Sequence, residues 1–443
     1  MVDVLYRYRV PSAVLASDDA TSLLLSTAGG RGANPVFFNG FAEDAPLAAK
    51  ALLTVAEVAR TRYFDPGARA RSRDPVVTSN LDVLRFESFS GCNGVYARFD
   101  LDEGAVDGEF FDWGTTNVDM NQPMRTALAQ VSRGEPLGVA VGADDLTVQT
   151  MDATEVEKKV PLPDRWVRGF AEVSVVMAGM RLVQEFGTAH ARRILTDVPR
   201  IAAKRVGWIT WTGGRARLTT RPGDDDVPLA GPERLGSLAR VIPHVTGLRV
   251  YAPPAEHRKG IGGRPSAERM TVPSAWELVF DGARLALVLS PEAYRGFSGE
   301  GGVLLALSQV DQSDISAHGD ALQGQAYIDP QPASRPILSA LGAGGRVGFD
   351  LSRGGFFHRD LPFDRSAVET LQPRLLDARA LIADGAVTAV EGGAEVRSGD
   401  TIYKVRFADE GLRCTCAWFA KHRGERGPCK HALAAALARV STA

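Results

Sequence analysis

The sequence predicts an α+β chain of several domains that ends in a small C-terminal ββα metal-binding unit. Three observations predict it. Strand-like alternation comes in pairs joined by short turns, which favours antiparallel sheets over a doubly wound parallel one. Proline-rich joins, Val160-Pro-Leu-Pro163 and Asp329-Pro-Gln-Pro-Ala-Ser-Arg-Pro336, cut the chain into three lengths. Three of the four cysteines lie near the end, in Cys414-Thr-Cys416 and, twelve residues on, Cys429-Lys-His431. The expected domains are 1–160, 161–328 and 337–443, with the metal unit at about 395–440.

In the first length, Asp44-Ala-Pro46 starts a helix to about Arg62, with Pro in its first turn. Val83–Phe89 and Val95–Leu101 alternate as strands about the turn Ser90-Gly-Cys-Asn-Gly94. Pro123–Arg133 reads as a helix stopped by Gly134. Leu137–Val141 and Leu146–Met151 read as a hairpin about Asp144-Asp145. In the second length, Asp164 begins a helix carried to Phe186, and Thr188 begins another to Val198. Gly207–Thr212 and Arg215–Thr220 pair about Gly213-Gly214, and Pro232–Ile242 reads as a third helix. Helix, helix, hairpin over 164–242 suggests a winged helix, with Arg192 and Arg193 on its second helix and Arg215, Arg217 and Arg221 on its wing. The acidic run Asp224-Asp-Asp226 argues against phosphate binding there. Residues 253–273 read as a loop, and Trp276–Phe280 with Arg284–Leu289 as a hairpin about Asp281-Gly282. In the third length, Asp364 caps a helix and Pro373–Ala383 forms another, stopped at Gly385.

The metal unit follows. Thr401–Phe407 alternates as a strand, Ala408–Gly411 turns, and Leu412, Cys414 and Cys416 are expected on one face of the returning strand, because residues i and i+2 of a strand point the same way. Pro428 then opens a helical run in which Leu433, Leu437 and Val440 recur at helical spacing. Three thiols and one imidazole are the ligand set of a closed tetrahedral zinc site. The expected cofactor is therefore one structural Zn²⁺ on Cys414, Cys416, Cys429 and His431, the CxH spacing favouring His431 over His422. CxC, a variable spacer and CxH resembles the SWIM zinc finger. The resemblance implies a β-hairpin, linker and helix that bind DNA or protein. Beyond it, Phe89-Ser-Gly-Cys-Asn-Gly-Val-Tyr96 and Phe357-His-Arg-Asp-Leu-Pro-Phe363 resemble phrases in larger bacterial SWIM-containing proteins. Those are often encoded beside MoxR-type AAA+ ATPases and von Willebrand A-domain proteins, which implies a protein partner in an assembly.

Composition narrows the function. The chain has 443 residues, 44% hydrophobic and 23% charged, with a formal net charge of −2, so no global basic field advertises nucleic acid. No apolar run reaches the ~18 residues of a membrane span, and Met1–Arg9 lacks a signal-peptide core. Cys92 alone lies outside the metal motif, which excludes a disulfide framework and leads us to expect a reducing, cytoplasmic setting. No phosphate-binding Gly-rich loop, HExxH or GxSxG motif occurs. Asp112, Asp119 and Asn121 form the densest oxygen-ligand cluster elsewhere; a Mg²⁺ or general-base site could use them, but Asp and Asn between Gly, Thr and Pro are more often turn formers and caps. His190, His244, His257, His318 and His358 share no motif.

Local charge marks the metal unit. Within 412–443 six basic residues face one acid, Glu425, and three thiolates more than offset the two charges of the ion. Lys404, Arg406, Arg413, Lys421, Arg423 and Arg426 are the candidate partner-binding residues, with Lys404 and Arg406 projecting away from Tyr403, Val405 and Phe407. Trp418 and Phe419 are assigned to packing. The expected function is non-catalytic, zinc-dependent protein interaction within a larger assembly. Nucleic-acid binding through the basic residues is the alternative, and an enzyme built on Asp112 to Asn121 a third reading.

Overall fold

A computed structural model of the chain describes residues 36–63, 75–198, 207–213, 215–219, 226–254, 272–292, 335–363, 365–408, 411–422 and 427–440, with strands at 13–17 and 20–24, a helix at 302–308 and scattered residues between 296 and 334. The loop expected at 253–273 lies almost wholly outside the described residues. A hairpin of β1 (Ala13–Ser17) and β2 (Ala20–Leu24) comes first. After β3 (Val36–Ala42), Asp44 accepts the Leu47 N–H at 3.0 Å and starts α1 (Ala45–Arg60). Next come β4 (Val76–Ser79), β5 (Val83–Phe89), β6 (Val95–Asp102), β7 (Val106–Phe110), β8 (Gly114–Asn117), α2 (Gln122–Gln130), β9 (Gly138–Gly142), β10 (Asp145–Gln149) and β11 (Thr154–Lys158). The middle of the chain gives α3 (Asp164–Ala178), β12 (Arg181–Gly187), α4 (Thr188–Asp197), β13 (Gly207–Thr212), β14 (Arg215–Thr219), β15 (Val227–Leu229), β16 (Gly247–Ala252), β17 (Ser274–Val279) and β18 (Ala283–Leu289). Then follow α5 (Gly302–Ser308), α6 (Arg335–Ala343), β19 (Val347–Asp350), β20 (Gly355–His358), α7 (Arg365–Thr370) and α8 (Pro373–Ala383).

The centre is an eight-stranded antiparallel sheet in the order β12-β16-β17-β18-β6-β5-β4-β8. It is closed in the middle by β6 against β18, from Leu101 opposite Ala283 to Val95 opposite Leu289. Strands from both sides of the Val160–Pro163 join thus share one sheet. A five-stranded sheet, β11-β10-β9-β3-β7, stands beside it.

Three expectations are corrected here. The helix expected to reach Phe186 stops at Ala178, and Arg181–Gly187 is the edge strand β12, paired with β16. Leu, Val and Phe in that stretch suit either element, and tertiary pairing decides. The winged-helix reading over 164–242 runs one helix directly into the next, whereas here the edge strand β12 lies between α3 and α4. Arg192, expected on a DNA-facing helix, donates from Nε to the Val245 carbonyl at 3.0 Å. Pro232–Arg240 is a 3-10 stretch rather than an α-helix.

Side-chain alternation gives the large sheet two different faces. Leu84, Phe86, Ala97, Phe99, Trp276, Leu278, Leu285 and Leu287 pack with α1 in the main apolar core. The opposite face carries Arg85, Glu87, Arg98, Asp100, Glu277 and Arg284, all buried beneath α3 and the β19–β20 hairpin. Buried charge must be paired. Asp350, at the end of β19, accepts from Arg85 Nη2 at 3.1 Å, from Arg284 Nη1 at 3.3 Å and from the N–H groups of Ser352 and Arg353. Arg98 pairs with Asp100 at 2.9 Å and donates to the Phe349 carbonyl at 2.6 Å. Arg359 and the Tyr96 hydroxyl both donate to Glu87 Oε1, at 2.5 and 2.6 Å. The Phe357 ring lies 4.1 Å from the Arg85 guanidinium.

These contacts split the carboxylates. Burial alone would raise Asp350, but Arg98, Arg85 and Arg284 hold it well below the usual range. Glu277 is pushed up from 4.5 to about 7, by burial first and then by Asp350. The folded state therefore holds the Glu277 proton more tightly than the unfolded chain, and this group's stabilisation is complete below pH 4.5 and lost as pH rises through about 7. Glu277→Gln keeps an acceptor for the Tyr251 hydroxyl, now 2.9 Å from Oε2. The variant should be the more stable protein at pH 8, by on the order of 3 kcal/mol, with little gain at pH 4.5. Urea melts of both proteins at the two pH values measure this; parallel pH dependences would show that Glu277 titrates normally.

Candidate metal centre

The C-terminal unit is a four-stranded antiparallel sheet and two helices. The strands are β21 (Val387–Val390), β22 (Gly393–Ser398), β23 (Thr401–Ala408) and β24 (Gly411–Cys414), followed by α9 (Ala417–His422) and α10 (Lys430–Val440). The expected hairpin, β23–β24, turns with Gly411 at φ 112°, a conformation that needs glycine. Sequence reading missed β21 and β22, which widen the hairpin to four strands.

Cys414, Cys416, Cys429 and His431 come together as expected, all buried, with their ligand atoms within 4.8 Å of one another. The route differs from the expected one. The strand ends at Cys414, and Cys416 lies in the bend that opens α9. Cys416 Sγ accepts the Phe419 N–H at 3.5 Å, and Cys429 Sγ accepts the Ala432 N–H at 3.4 Å. Two of the three sulfurs thus sit at helix starts, where unsatisfied N–H groups favour an anionic ligand. His431 Nδ1 lies 3.9 Å from Cys414 Sγ. A tetrahedron with metal–sulfur bonds of about 2.3 Å and a metal–nitrogen bond of about 2.0 Å has a sulfur–nitrogen edge of roughly 3.5 Å, so a small inward shift of these groups closes the site on an ion. The imidazole is stacked on the Tyr403 ring at 4.1 Å, which fixes its orientation.

The electrostatics also ask for a cation. The hydrogen bond from Cys414 holds the Cys429 thiol far below the ordinary range, and the same bond and burial push Cys414 up. Burial raises Cys416. Three sulfurs this close cannot all be anionic on their own, and a divalent ion removes that conflict.

The unit is welded to the rest of the chain. The cysteines share an apolar cluster with Val167 and Ala171 of α3, Leu304 and Leu307 of α5, and Leu375 and Ala378 of α8. Arg374 donates to the Pro428 carbonyl at 2.9 Å and lies 4.9 Å from the Trp418 ring, and Lys430 pairs with Asp377 at 3.6 Å. Trp418 and Phe419 are half-buried against the same cluster, as their assignment to packing requires. His422 is outside the ligand group, its ring tilted on Trp418 at 4.4 Å.

The basic candidates divide. Lys404, Arg406 and Arg413 share the outward face of the sheet, Arg406 directly opposite Arg413, and all three are exposed. Arg397 joins them, opposite Ile402; its signal was the alternation of β22. Lys421 is exposed on α9, apart from that face, and Arg423 and Arg426 lie outside the described residues. Among the earlier oxygen-ligand candidates, Asn121 Oδ1 caps α2 by accepting the Met124 N–H at 3.1 Å, and Asp112 Oδ1 accepts the Trp113 N–H at 3.0 Å. The Cys–Cys–Cys–His set is the one group of three or more His, Cys, Asp and Glu ligands placed to hold a metal among the described residues. His190 and His244 lie apart from it, His244 Nε2 being 3.0 Å from Lys50 Nζ. His358 is buried edge-on against Trp113, and Cys92 Sγ lies 3.5 Å from Ser90 Oγ. His257 and His318 are outside the described residues.

Geometry and donors together define a small, closed zinc centre of the structural kind, able to hold one ion. Residues 402–439 match the family model of the SWIM zinc finger. No curated protein matches the chain. Among solved structures, proliferating cellular nuclear antigen from Entamoeba histolytica aligns with a TM-score of 0.36 at 10% identity, over 58% of this chain and 99% of that one. A PCNA2–PCNA3 complex from Sulfolobus tokodaii aligns with a TM-score of 0.38 at 10% identity and the same coverage. No helix among the described residues is long and apolar enough to cross a membrane.

Purified protein should carry one equivalent of zinc, and Cys416→Ser should lose it. Because the ligands share a core with α3, α5 and α8, chelation should remove hydrogen-exchange protection from α8 and α5 as well as from α10, while β5, β6, β17 and β18 stay protected. Loss confined to residues 402–439 would show that the shared core holds without the ion.

Proposed function

We propose that this chain is a non-catalytic binding component of a larger assembly, and that the outward face of its zinc-finger sheet docks an acidic protein surface. One observation carries the reading. That face presents Arg397, Lys404, Arg406 and Arg413 around one carboxylate, Glu395, with Ile402 58% exposed among them. Arg406 opposite Arg413 is a like-charge cross-strand pair, which destabilises an isolated sheet. A partner's carboxylates match the positive charge concentrated there. The zinc centre keeps the sheet rigid, and packing on α5 and α8 fixes its orientation.

Nucleic acid is the second reading, favoured by the same cations. Against it, Tyr403, Phe407, Trp418 and Phe419 are half-buried against the core, so none of these four rings of the finger stands free to stack on bases. The net charge of −2 gives no long-range steering towards phosphate. Lys404→Glu with Arg406→Glu tests both. Both side chains leave the sheet away from the core, so zinc content should be unchanged. The double variant should lose co-purification with the native partner and leave any DNA binding as weak as in the parent. A tight DNA complex that weakens steeply with salt and vanishes in this variant would overturn the protein reading.

A further inference from the structure

The edge of the finger sheet carries a second feature, independent of the basic face. Among the described residues β21 pairs with β22 alone. Just ahead of it, the Arg397 N–H donates to the Ala386 carbonyl at 2.8 Å. In an antiparallel ladder the bonded pairs alternate, so Thr388 and Val390 bond to Glu395 and Gly393 across the register. Val387 and Ala389 therefore turn their backbone N–H and C=O groups away from β22. The same two residues line a groove of about 460 Å³, whose far wall is Phe407 with Ala435, Ala438 and Arg439 of α10. The helix side of the groove is built from short alanine side chains, and its lining is mostly apolar. Among the described residues Arg439 is the one charged residue in its lining, its guanidinium 5.0 Å from the Phe407 ring.

We infer that this edge and groove take up an extended segment of a partner protein by strand addition, with apolar side chains alternating into the groove and an Asp or Glu side chain meeting Arg439. Each part of the ligand answers to a part of the site. Backbone groups of Val387 and Ala389 supply the ladder, the groove supplies selection at alternate positions, and Arg439 supplies the charge preference. The volume lies in the range of small-ligand and peptide pockets. A second copy of this chain fits poorly, since its β21 edge brings no carboxylate to meet Arg439, the lining of both copies being apolar apart from that arginine.

The test uses the zinc-loaded full chain and a dye-labelled, amidated peptide, Thr-Val-Thr-Val-Thr-Glu-Thr, whose Val and Glu share one strand face. Fluorescence anisotropy should show saturable binding. Glutamine in place of the peptide glutamate, or Arg439→Ala in the protein, should weaken it at least ten-fold. Proline in the peptide's centre, which removes a ladder donor, should abolish it. Ala438→Trp, which fills the groove, and Ala389→Arg, which blocks the edge without touching the core, should each abolish it with zinc content unchanged. Absence of saturable binding overturns the proposal, as does equal binding by the proline peptide or by the Ala389→Arg protein. Tighter binding by a peptide with a free C-terminal carboxylate and no glutamate overturns the choice of a side-chain acid. Binding lost in Lys404→Glu/Arg406→Glu but kept in Ala389→Arg assigns the peptide to the outer face instead.

Discussion

A sheet buried on both faces must neutralise every charge it encloses. That constraint organises this molecule. The eight-stranded sheet carries Arg85, Arg98, Asp100, Glu277 and Arg284 on a face closed to water, and the segment that closes it brings Asp350 and Arg359. Without Asp350, three guanidinium groups would lose a common counter-charge, and the cost of an unpaired buried ion is several kcal/mol, about 3–5 for one broken pair. The β19–β20 hairpin is thus held by electrostatic necessity as well as by the stacking of Phe357 on Arg85. Helix α3 rests against the same cover, through Phe170 beneath the Arg359 guanidinium.

From there the mechanical continuity reaches the zinc centre. Val167 and Ala171 on α3 belong to the apolar cluster that contains the metal ligands, while Trp166 and Phe170 of the same helix belong to the cluster on the sheet's charged side. One helix therefore serves two cores. A finger on a free tether would move independently of the sheet. This one shares a core with α3, α5 and α8, so the partner proposed for its outer face would be held in register with those helices.

Local chemistry was legible in the sequence, and distant partnership was not. Asp44 and Asn121 announced their helices, Gly282 and Gly213 their hairpin turns, and the spacing of Cys414, Cys416, Cys429 and His431 their common site. The strand assigned to Cys416 failed because a CxC pair converges on one ion as readily across a strand–helix bend as along a strand. Arg181–Gly187 failed because its residues form either element, and its partner β16 lies about sixty residues away. Arg85 and Arg98 alternate with apolar neighbours as on any half-exposed strand. Nothing local shows that a hairpin some 250 residues later covers them. The β6–β18 pairing, which makes one sheet from two lengths of chain, was invisible for the same reason.

The charged face has a kinetic consequence. Pairing of β6 with β18 spans nearly two hundred residues, and contact of Arg85 with Asp350 spans 265. Such non-local closure is slow, because loop entropy is paid before the contacts form. Until the cover arrives, the large sheet must present one side to the solvent. That side carries rows of both signs, Arg85, Arg98 and Arg284 with Glu87, Asp100 and Glu277, beside the apolar Phe89, Ala275 and Val288, while the aliphatic side has α1, its neighbour in sequence, to pack against. A sheet waiting for its cover would therefore be hydrated along its charged rows, where an all-apolar face would be sticky. The same residues that need neutralising in the finished protein would act as solubilising gatekeepers during its assembly.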